Sequence, residues 1–309
     1  MEAAPYHDAV AAGPPGGRPV WLKAADGLRL RAMTWPREGA RGTVLLLQGR
    51  TEYLEKYSHV ARELAARGFA TASLDWRGQG LSQRPIRDPR AGHVRDFRDF
   101  QLDLDALLEH CRMEDMPNPL LMLSHSMGGL IGLRALHRRP DISRAAFTAP
   151  MWGLPLAPHR RAIGWAISAL AAGAGQGERA APGRGRLVDP AAAPFEDNLL
   201  TTDPEMFAWM KRQVAAHPEL ALGGPSLGWI WAAFREMHAL AREAAPDVPC
   251  LVLIGTQEDI VSVDAVHVRA ASWPGARVET FEGARHEVLM EAPATRARAY
   301  DAIAAHLTG

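Results

Sequence analysis

Long apolar runs, cysteines and net charge are all scarce in this sequence. No stretch approaches 18 uninterrupted apolar residues, so no transmembrane helix is expected. The only two cysteines, Cys111 and Cys250, each lie in an apolar run, which indicates buried thiols rather than a disulfide framework. Basic and acidic residues both number 35, so no net positive charge is available to hold a nucleic acid, and none is expected as a partner.

Sequence signatures of metals, cofactors and export are missing as well. There is no HExxH and no paired CxxC, and the glycine-rich residues 173–177 follow no predicted strand. We therefore expect neither a metal site nor a bound cofactor. The first 19 residues contain acidic residues and several prolines but no apolar run of signal-peptide length, which predicts a cytoplasmic location.

The chain does have length and apolar content, with 309 residues of which 47% are hydrophobic. That is enough for one large domain, with or without an insertion. Short apolar runs alternate with helical periodicities up to residue 150 and again from residue 250; the runs are residues 43–48, 69–74, 120–123, 142–147, 250–254 and 277–281. This alternation predicts an α/β fold with a doubly wound, mostly parallel sheet.

The alternation stops between residues 151 and 240, where we find helical patterns but no strands. Asp203 and Ser226 are predicted to cap two of these helices. The predicted organisation is a flexible N-terminal segment (1–18), a core (19–150 and 241–309) and an inserted helical cap (151–240).

A serine between a predicted strand and a predicted helix is the candidate nucleophile. Residues 120–129 read LLMLSHSMGG, which places Ser126 in the connecting turn. Such a turn is sterically strained, and the positions two before and two after its central residue must be small. Ser124 and Gly128 satisfy this requirement.

Residues 125–129 resemble the nucleophile turn of the α/β-hydrolase superfamily, in the branch of lysophospholipases, monoacylglycerol lipases and serine aminopeptidase-like hydrolases. Residues 48–57 resemble the HGxxE segment of that branch, with Gln48 at the usual histidine, and residues 75–82 resemble its D-x-R-G-x-G-x-S segment. The resemblance extends from about Trp21 to His306. It implies the α/β-hydrolase fold and a serine hydrolase acting on lipid-type acyl esters.

A serine hydroxyl needs a base, and the base needs a carboxylate that orients it. The order implied by the resemblance is serine, acid, histidine. Asp259 follows the predicted strand 250–254 and is our predicted acid, with Glu258 as the alternative and Asp264 as a cap of the next helix. His286, in a short loop after the strand 277–281, is the predicted base.

The backbone N–H groups of Met127 and Arg50 are predicted to form the oxyanion hole. Met127 follows the nucleophile directly. Arg50 is chosen by its place in the segment that resembles HGxxE. For residues 75–82 we expect a structural turn shaped by Gly78 and Gly80.

The predicted cap is rich in aromatic residues and methionine, including five tryptophans: Trp152, Trp165, Trp209, Trp229 and Trp231. This composition predicts an apolar lid over Ser126 that accepts an acyl chain, and it also suggests transient contact with a membrane surface. The expected partner is a small acyl ester, a lysophospholipid or monoacylglycerol. No oligomeric state is predicted.

Three alternatives remain open at the level of sequence. A peptidase or amidase could use the same three residues, because acyl transfer from esters and amides needs the same groups. A small-ester esterase could also use the same three residues. A catalytically idle binding protein of the same fold is disfavoured by the complete set of Ser126, Asp259 and His286.

Overall fold

The computed structural model describes residues 2–182 and 193–309. Its strands are β1 (Arg18–Lys23), β2 (Arg29–Trp35), β3 (Thr43–Leu47), β4 (Ala70–Leu74), β5 (Leu120–His125), β6 (Ile142–Thr148), β7 (Cys250–Gly255) and β8 (Arg277–Phe281). Its α-helices are α1 (Leu54–Ala66), α2 (Phe100–Met113), α3 (Met127–Leu136), α4 (Pro158–Gly173), α5 (Pro204–Ala216), α6 (Leu227–Leu240), α7 (Val263–Ala271) and α8 (Pro293–Thr308). None of these helices combines the length and the apolar character needed to cross a bilayer.

The eight strands form one sheet in the order β1-β2-β4-β3-β5-β6-β7-β8. Strands β3 to β8 pair in parallel, whereas β1 pairs with β2, and β2 with β4, in antiparallel fashion. This is the α/β-hydrolase architecture expected from the sequence, because the parallel strands are connected through helices on both faces.

Side chains of the central strands point alternately to the two faces of the sheet, so the core has two layers. In β3, Leu45 and Leu47 belong to the layer that contains residues of α2, α3 and α6. Val44 and Leu46 belong to the opposite layer, with α1 and α8. A strand buried on both faces reads as a continuous apolar run, which is why its position was predictable.

The six parallel-pattern strands were predicted within two residues of their observed ends. Strands β1 and β2 were not predicted. Strand β1 is exposed at both ends, and β2 contains the buried Arg31, whose guanidinium pairs with Glu55 and Asp75. These polar residues interrupt the hydrophobic pattern on which a strand prediction depends.

Between β6 and β7 the described residues form the helices α4, α5 and α6. Two predicted caps are confirmed, since Asp203 accepts hydrogen bonds at the start of α5 and Ser226 at the start of α6. Aromatic packing joins α4 to α6, because the ring centroid of Trp165 lies 5.2 Å from that of Trp231.

The segment before β1 differs from expectation. Residues 1–18 were predicted to be flexible, but residues 2–17 pack on the core. The Ala12 N–H donates to Ser58 Oγ at 2.8 Å, and the Val10 carbonyl accepts from Gln213 Nε2 at 2.9 Å. These hydrogen bonds to α1 and α5 correct the prediction, because they fix the segment through distant elements that composition alone does not indicate.

Candidate active site

Each predicted site residue follows the carboxyl end of a parallel strand. Ser126 follows β5, Asp259 and its neighbour Glu258 follow β7, His286 follows β8, and Arg50 lies beyond β3. Carboxyl ends of parallel strands share one edge of the sheet, so the topology brings these loops together.

Ser126 occupies a strained turn between β5 and α3. Its backbone has φ 49° and ψ −117°, a left-handed conformation that residues with a side chain rarely adopt. The Ser126 N–H donates to the Thr148 carbonyl at 3.1 Å, and the Ser126 carbonyl accepts from Gly129 and Met151. The surrounding backbone therefore holds the turn in place, and Ser126 is only 8% exposed.

The small residues around the turn are required by close backbone approach. A Cβ on Gly128 would lie 2.1 Å from the Leu47 carbonyl oxygen. Ser124, which stands where such turns usually have glycine, fits because Gly132 of α3 has no side chain: a Cβ there would lie 2.6 Å from Ser124 Oγ. The unusual serine is thus matched by a glycine eight positions later.

The histidine contact corrects one prediction. His286 Nδ1 lies 2.7 Å from Glu258 Oε2, whereas Asp259, the predicted acid, is exposed. Glu258 Oε1 also accepts the N–H groups of Ile260 and Val261, at 2.6 and 2.9 Å. The turn after β7 is closed by these two hydrogen bonds, which direct Glu258 inward.

The neighbouring Asp264 was also misassigned. The residue that caps α7 is Ser262, whose Oγ accepts from the Ala265 N–H at 3.2 Å, and Asp264 lies in the first turn of that helix. Neither position could be chosen from sequence alone, because three acids and a serine follow β7 within ten residues.

The pKa of Glu258 favours its charged form. Burial by itself would raise this pKa. The hydrogen bond with His286, the charge interaction with the same histidine and the two backbone N–H groups outweigh burial and hold the pKa below the usual range. An ionised Glu258 is suited to orient a histidine ring and to stabilise it when protonated.

The loop after β3 lies directly against the serine. A Cβ on Gly49 would lie 3.1 Å from Ser126 Cβ. Met127 is the first residue of α3, where a backbone N–H has no partner within the helix. The Arg50 N–H donates to no acceptor in the described part of the chain. Both amides are thus available as donors beside Ser126.

Gln79 fixes this loop, and sequence reasoning missed it. Its Oε1 accepts from the Thr51 N–H at 2.9 Å, and its Nε2 donates to the Gly49 carbonyl at 3.1 Å. Gln79 therefore holds the residues on both sides of Arg50. Thr51 has φ 66°, an unfavourable value for a β-branched residue that this contact helps to maintain. The sequence of residues 75–82 predicted a turn but not these two hydrogen bonds of Gln79.

Gln48 and Asp75 also support the loop after β3. Gln48 Nε2 donates to the Leu74 carbonyl at 2.6 Å, so glutamine supplies a hydrogen bond at the position where histidine is usual. Asp75 accepts the N–H groups of Leu54 and Leu81 and pairs with Arg31. A Cβ on Gly80, which has φ 48°, would overlap the Asp75 carboxylate. These contacts support the structural role expected for residues 75–82.

A buried charged cluster of Glu52, Lys56, His125 and Glu287 forms one wall of the site. Lys56 Nζ lies 2.6 Å from Glu52 Oε1 and also binds Glu287. The Glu52 carboxylate in turn accepts the Gly49 N–H. His125 Nε2 lies 3.6 Å from Glu287 Oε2, and its ring centroid lies 4.7 Å from that of His286.

Charge pairing outweighs burial for Lys56 and Glu287 but not for Glu52, because burial and the charge of Glu287 raise the pKa of Glu52. Although burial favours the neutral forms, Lys56 lowers the pKa of Glu287, and the two carboxylates raise the pKa of Lys56. Burial lowers the pKa of His125 to about 3, so His125 is neutral. Glu52, His125 and Glu287 are close enough to share a metal, but the Lys56 ammonium already binds both carboxylates.

Ser126, His286 and Arg50 line one cavity of about 380 Å³. Much of its remaining wall is apolar, and the helices between β6 and β7 contribute Met210, Val214 and Trp229 to it. A second cavity of about 380 Å³ lies between α3, α6 and α7 and contains none of the predicted site residues.

Comparison with known proteins finds relatives over most of this chain. The family model described as serine aminopeptidase, S33, matches residues 38–293. Lysophospholipase L2 of Escherichia coli strain K12 is 32% identical over 294 residues, covering 90% of this chain and 84% of that protein. A monoacylglycerol lipase of Mycolicibacterium smegmatis is 26% identical over 272 residues, covering 86% and 88%.

Solved structures share the fold. The monoglyceride lipase of Saccharomyces cerevisiae, crystallised as a soluble variant with a substrate analog, superposes with a TM-score of 0.73. Its sequence identity is 21%, and the match covers 98% of both chains.

Proposed function

Because this chain belongs to the serine aminopeptidase, S33, family, we propose that it is a serine hydrolase that cleaves carboxylic esters of lipid type through an acyl-enzyme on Ser126. The observation that carries the proposal is the 2.7 Å hydrogen bond between His286 and Glu258 beside a serine in the strained turn. These are the base, the acid and the nucleophile that acyl transfer requires.

In the first half of the reaction, Ser126 Oγ attacks the ester carbonyl and His286 Nε2 takes its proton. Glu258 holds Nδ1–H and stabilises the resulting imidazolium. The N–H groups of Met127 and Arg50 bind the oxyanion. The alcohol then leaves with the proton from His286, and the acyl group stays on Ser126.

In the second half, a water molecule gives its proton to His286 and attacks the acyl-enzyme. The tetrahedral intermediate uses the same two N–H groups. Its collapse releases the carboxylic acid and returns the proton to Ser126 Oγ. No redox step occurs, so the chemistry needs only the residues of this chain and water.

The lipid character of the substrate rests on the cavity wall and on the relatives. Met151, Leu154, Leu200, Leu222 and Ile260 join the helical residues there and can cover an acyl chain. Curated relatives are named lysophospholipase and monoacylglycerol lipase. We propose the same substrate class here, with residues 151–240 acting as a cap over the core.

An aminopeptidase activity, which the family description would allow, is less well supported. Recognition of a terminal ammonium needs an accessible carboxylate in the cavity. Glu52 and Glu287, the two carboxylates among the described lining residues, are already bound to Lys56. The cavity therefore favours esters over amino-terminal peptides.

Contact with a lipid surface through the cap is part of the proposal. Ile163, Ile167 and Leu170 lie on one face of α4 and are 56%, 47% and 73% exposed. Apolar side chains at this spacing can enter the interfacial region of a bilayer. Co-sedimentation with phospholipid vesicles should fall in the Ile163→Asp variant; equal sedimentation of both proteins would refute this contact.

The catalytic proposal is tested by Ser126→Ala and His286→Ala. Each should lower turnover of a monoacylglycerol or lysophospholipid by roughly 10⁴-fold. Ser126→Ala should also abolish labelling by a fluorophosphonate probe, while the neighbouring Ser124→Gly variant remains labelled.

Retention of labelling by Ser126→Ala, or turnover within tenfold of wild type, would refute the assignment. A wild-type protein that is not labelled would favour a binding protein. Release of amine rather than fatty acid from paired substrates would favour the amidase.

A further inference from the structure

The side chain of Arg50 has no role in the mechanism above, which uses only its backbone N–H. The guanidinium is mostly buried and lines the same cavity as Ser126. Its Nη2 donates to the Gly223 carbonyl at 2.5 Å, and its Cζ lies 5.3 Å from the centroid of the Trp229 ring. Its Nε is buried and has no hydrogen-bond partner among the described residues.

The charge of Arg50 is also unpaired among the residues that the structure describes. Within residues 2–182 and 193–309, no carboxylate lies within 4 Å of it. Arg31 pairs with Glu55 and Asp75, and Arg134 pairs with Glu236. The buried Arg269 resembles Arg50 more closely, since in the described part of the chain it donates only to backbone carbonyls, but it does not line the cavity of Ser126. Burial lowers the pKa of Arg50 to about 10, which leaves it charged at neutral pH. A buried cation without an anion costs free energy, and an anionic ligand would offset that cost.

Backbone of two neighbouring loops lies close to the guanidinium. A Cβ on Gly92 would lie 2.7 Å from Arg50 Nη2, so a larger residue at position 92 would displace the guanidinium. Gly92 donates to the Gly224 carbonyl at 3.2 Å and accepts from the Ser226 N–H at 2.9 Å. The Gly223 carbonyl and the space left by Gly92 thus position the guanidinium in the cavity wall, and pre-positioning of this kind favours recognition of a ligand.

Building on the proposed ester hydrolase function, we propose that the Arg50 guanidinium binds the phosphodiester group of a lysophospholipid substrate while its acyl ester lies at Ser126. Guanidinium forms strong paired hydrogen bonds with phosphate oxygens. In a lysophospholipid only the glycerol unit separates the phosphate from the ester, and Arg50 and Ser126 line the same cavity. Arg50 thus selects lysophospholipids over uncharged monoacylglycerols of the same chain length.

The test compares 1-octanoyl-glycerophosphocholine with 1-octanoylglycerol, both below their micelle concentrations. Wild type should prefer the phosphate-containing ester. Arg50→Met should lose roughly 10- to 100-fold more kcat/KM on that ester than on octanoylglycerol, the scale of a hydrogen bond to a charged group. Arg50→Lys, which keeps a positive charge, should lose less. Arg90→Met, at an exposed arginine of the adjoining loop, is the matched control and should keep the wild-type ratio.

Inhibition gives a second readout that a purely structural role would not change. Glycerol 3-phosphate should compete with octanoylglycerol in wild type and not in Arg50→Met, whereas glycerol and inorganic phosphate should inhibit both proteins weakly. Equal losses on the two esters in Arg50→Met would overturn the proposal, and so would inorganic phosphate inhibiting as strongly as glycerol 3-phosphate. If wild type hydrolysed neither ester, the proposed function itself would fail, which is a separate result.

Discussion

Glu258 and Asp259 are adjacent carboxylates with opposite environments. Glu258 is bound to His286 and to two backbone N–H groups, whereas Asp259 is exposed to solvent. Only the inward residue can fix the tautomer of the histidine and stabilise its protonated form. At the scale of single residues, the proposed mechanism therefore depends on which way one turn directs its side chains.

Replacement of Glu258 by glutamine should lower kcat by roughly 10⁴-fold, because the amide cannot stabilise a protonated His286. The matched variant Asp259→Asn should change kcat by less than about tenfold. Steady-state hydrolysis of a p-nitrophenyl ester measures both. If Asp259→Asn were the damaging change instead, the assignment of Glu258 as the acid would be wrong.

Glu258 should also contribute to acid sensitivity. Because its pKa is lowered in the folded protein, its contribution to the free energy of unfolding is complete above the pKa of an unfolded glutamate, about 4.3. That contribution is lost as the pH falls through the lower folded pKa.

The stability difference between wild type and Glu258→Gln should therefore shrink as the pH is lowered from about 5 to about 3. Urea unfolding at a series of pH values measures this difference. A difference that grows toward acid pH would contradict the lowered pKa.

At the scale of elements, the loop after β3 depends on a side chain from the loop after β4. Gln79 bonds to Gly49 and Thr51, the neighbours of Arg50, and so determines where the Arg50 N–H points. An oxyanion donor acts only if it is placed before the reaction begins. Gln79 is thus a positioning residue rather than a catalytic one.

Gln79→Ala should lower kcat by roughly 10- to 100-fold, less than the loss of a whole oxyanion donor, and should change KM much less. Gln79→Glu keeps the acceptor for Thr51 and should fall between alanine and wild type. Gln83→Ala provides the control, since Gln83 accepts the Arg29 N–H at 3.0 Å from an exposed position in the same loop. A change in KM with unchanged kcat would argue against this role.

At the scale of the whole molecule, the cavity joins two parts of the chain. The loops of the sheet supply the proposed reacting groups, and the helices between β6 and β7 supply Met210, Val214 and Trp229. Phe207, although buried in the same helix as Met210, packs against Phe195 with a ring distance of 5.5 Å and does not line the cavity. Aromatic content alone therefore did not identify the residues that line the cavity.

Met210→Ala should reduce kcat/KM for long-chain esters several fold more than for acetyl esters, because each buried methylene contributes about 0.8 kcal/mol. Phe207→Ala should lower the unfolding temperature but reduce activity on both esters alike. Equal losses for long and short esters in Met210→Ala would show that the cap does not discriminate between acyl chains of different length.

The sequence by itself determined the parallel strands, the helices that cover them and the positions of Ser126 and His286. These features depend on local patterns: continuous apolar runs for doubly buried strands, and small residues around a strained turn. Ser124 was acceptable at sequence level because of its size, and Gly132 provides the physical reason.

Tertiary structure alone decided the partner of His286, the hydrogen bonds by which Gln79 holds the loop of Arg50, and the packing of residues 2–17. Each of these depends on contacts between segments far apart in the chain, such as Glu258 with His286 and Gln79 with Gly49. Sequence periodicity reports which face of an element is buried, but it does not report which of two adjacent polar residues in a turn faces inward. That direction is set by the hydrogen bonds that the folded backbone offers, and these exist only once the strands have been brought together.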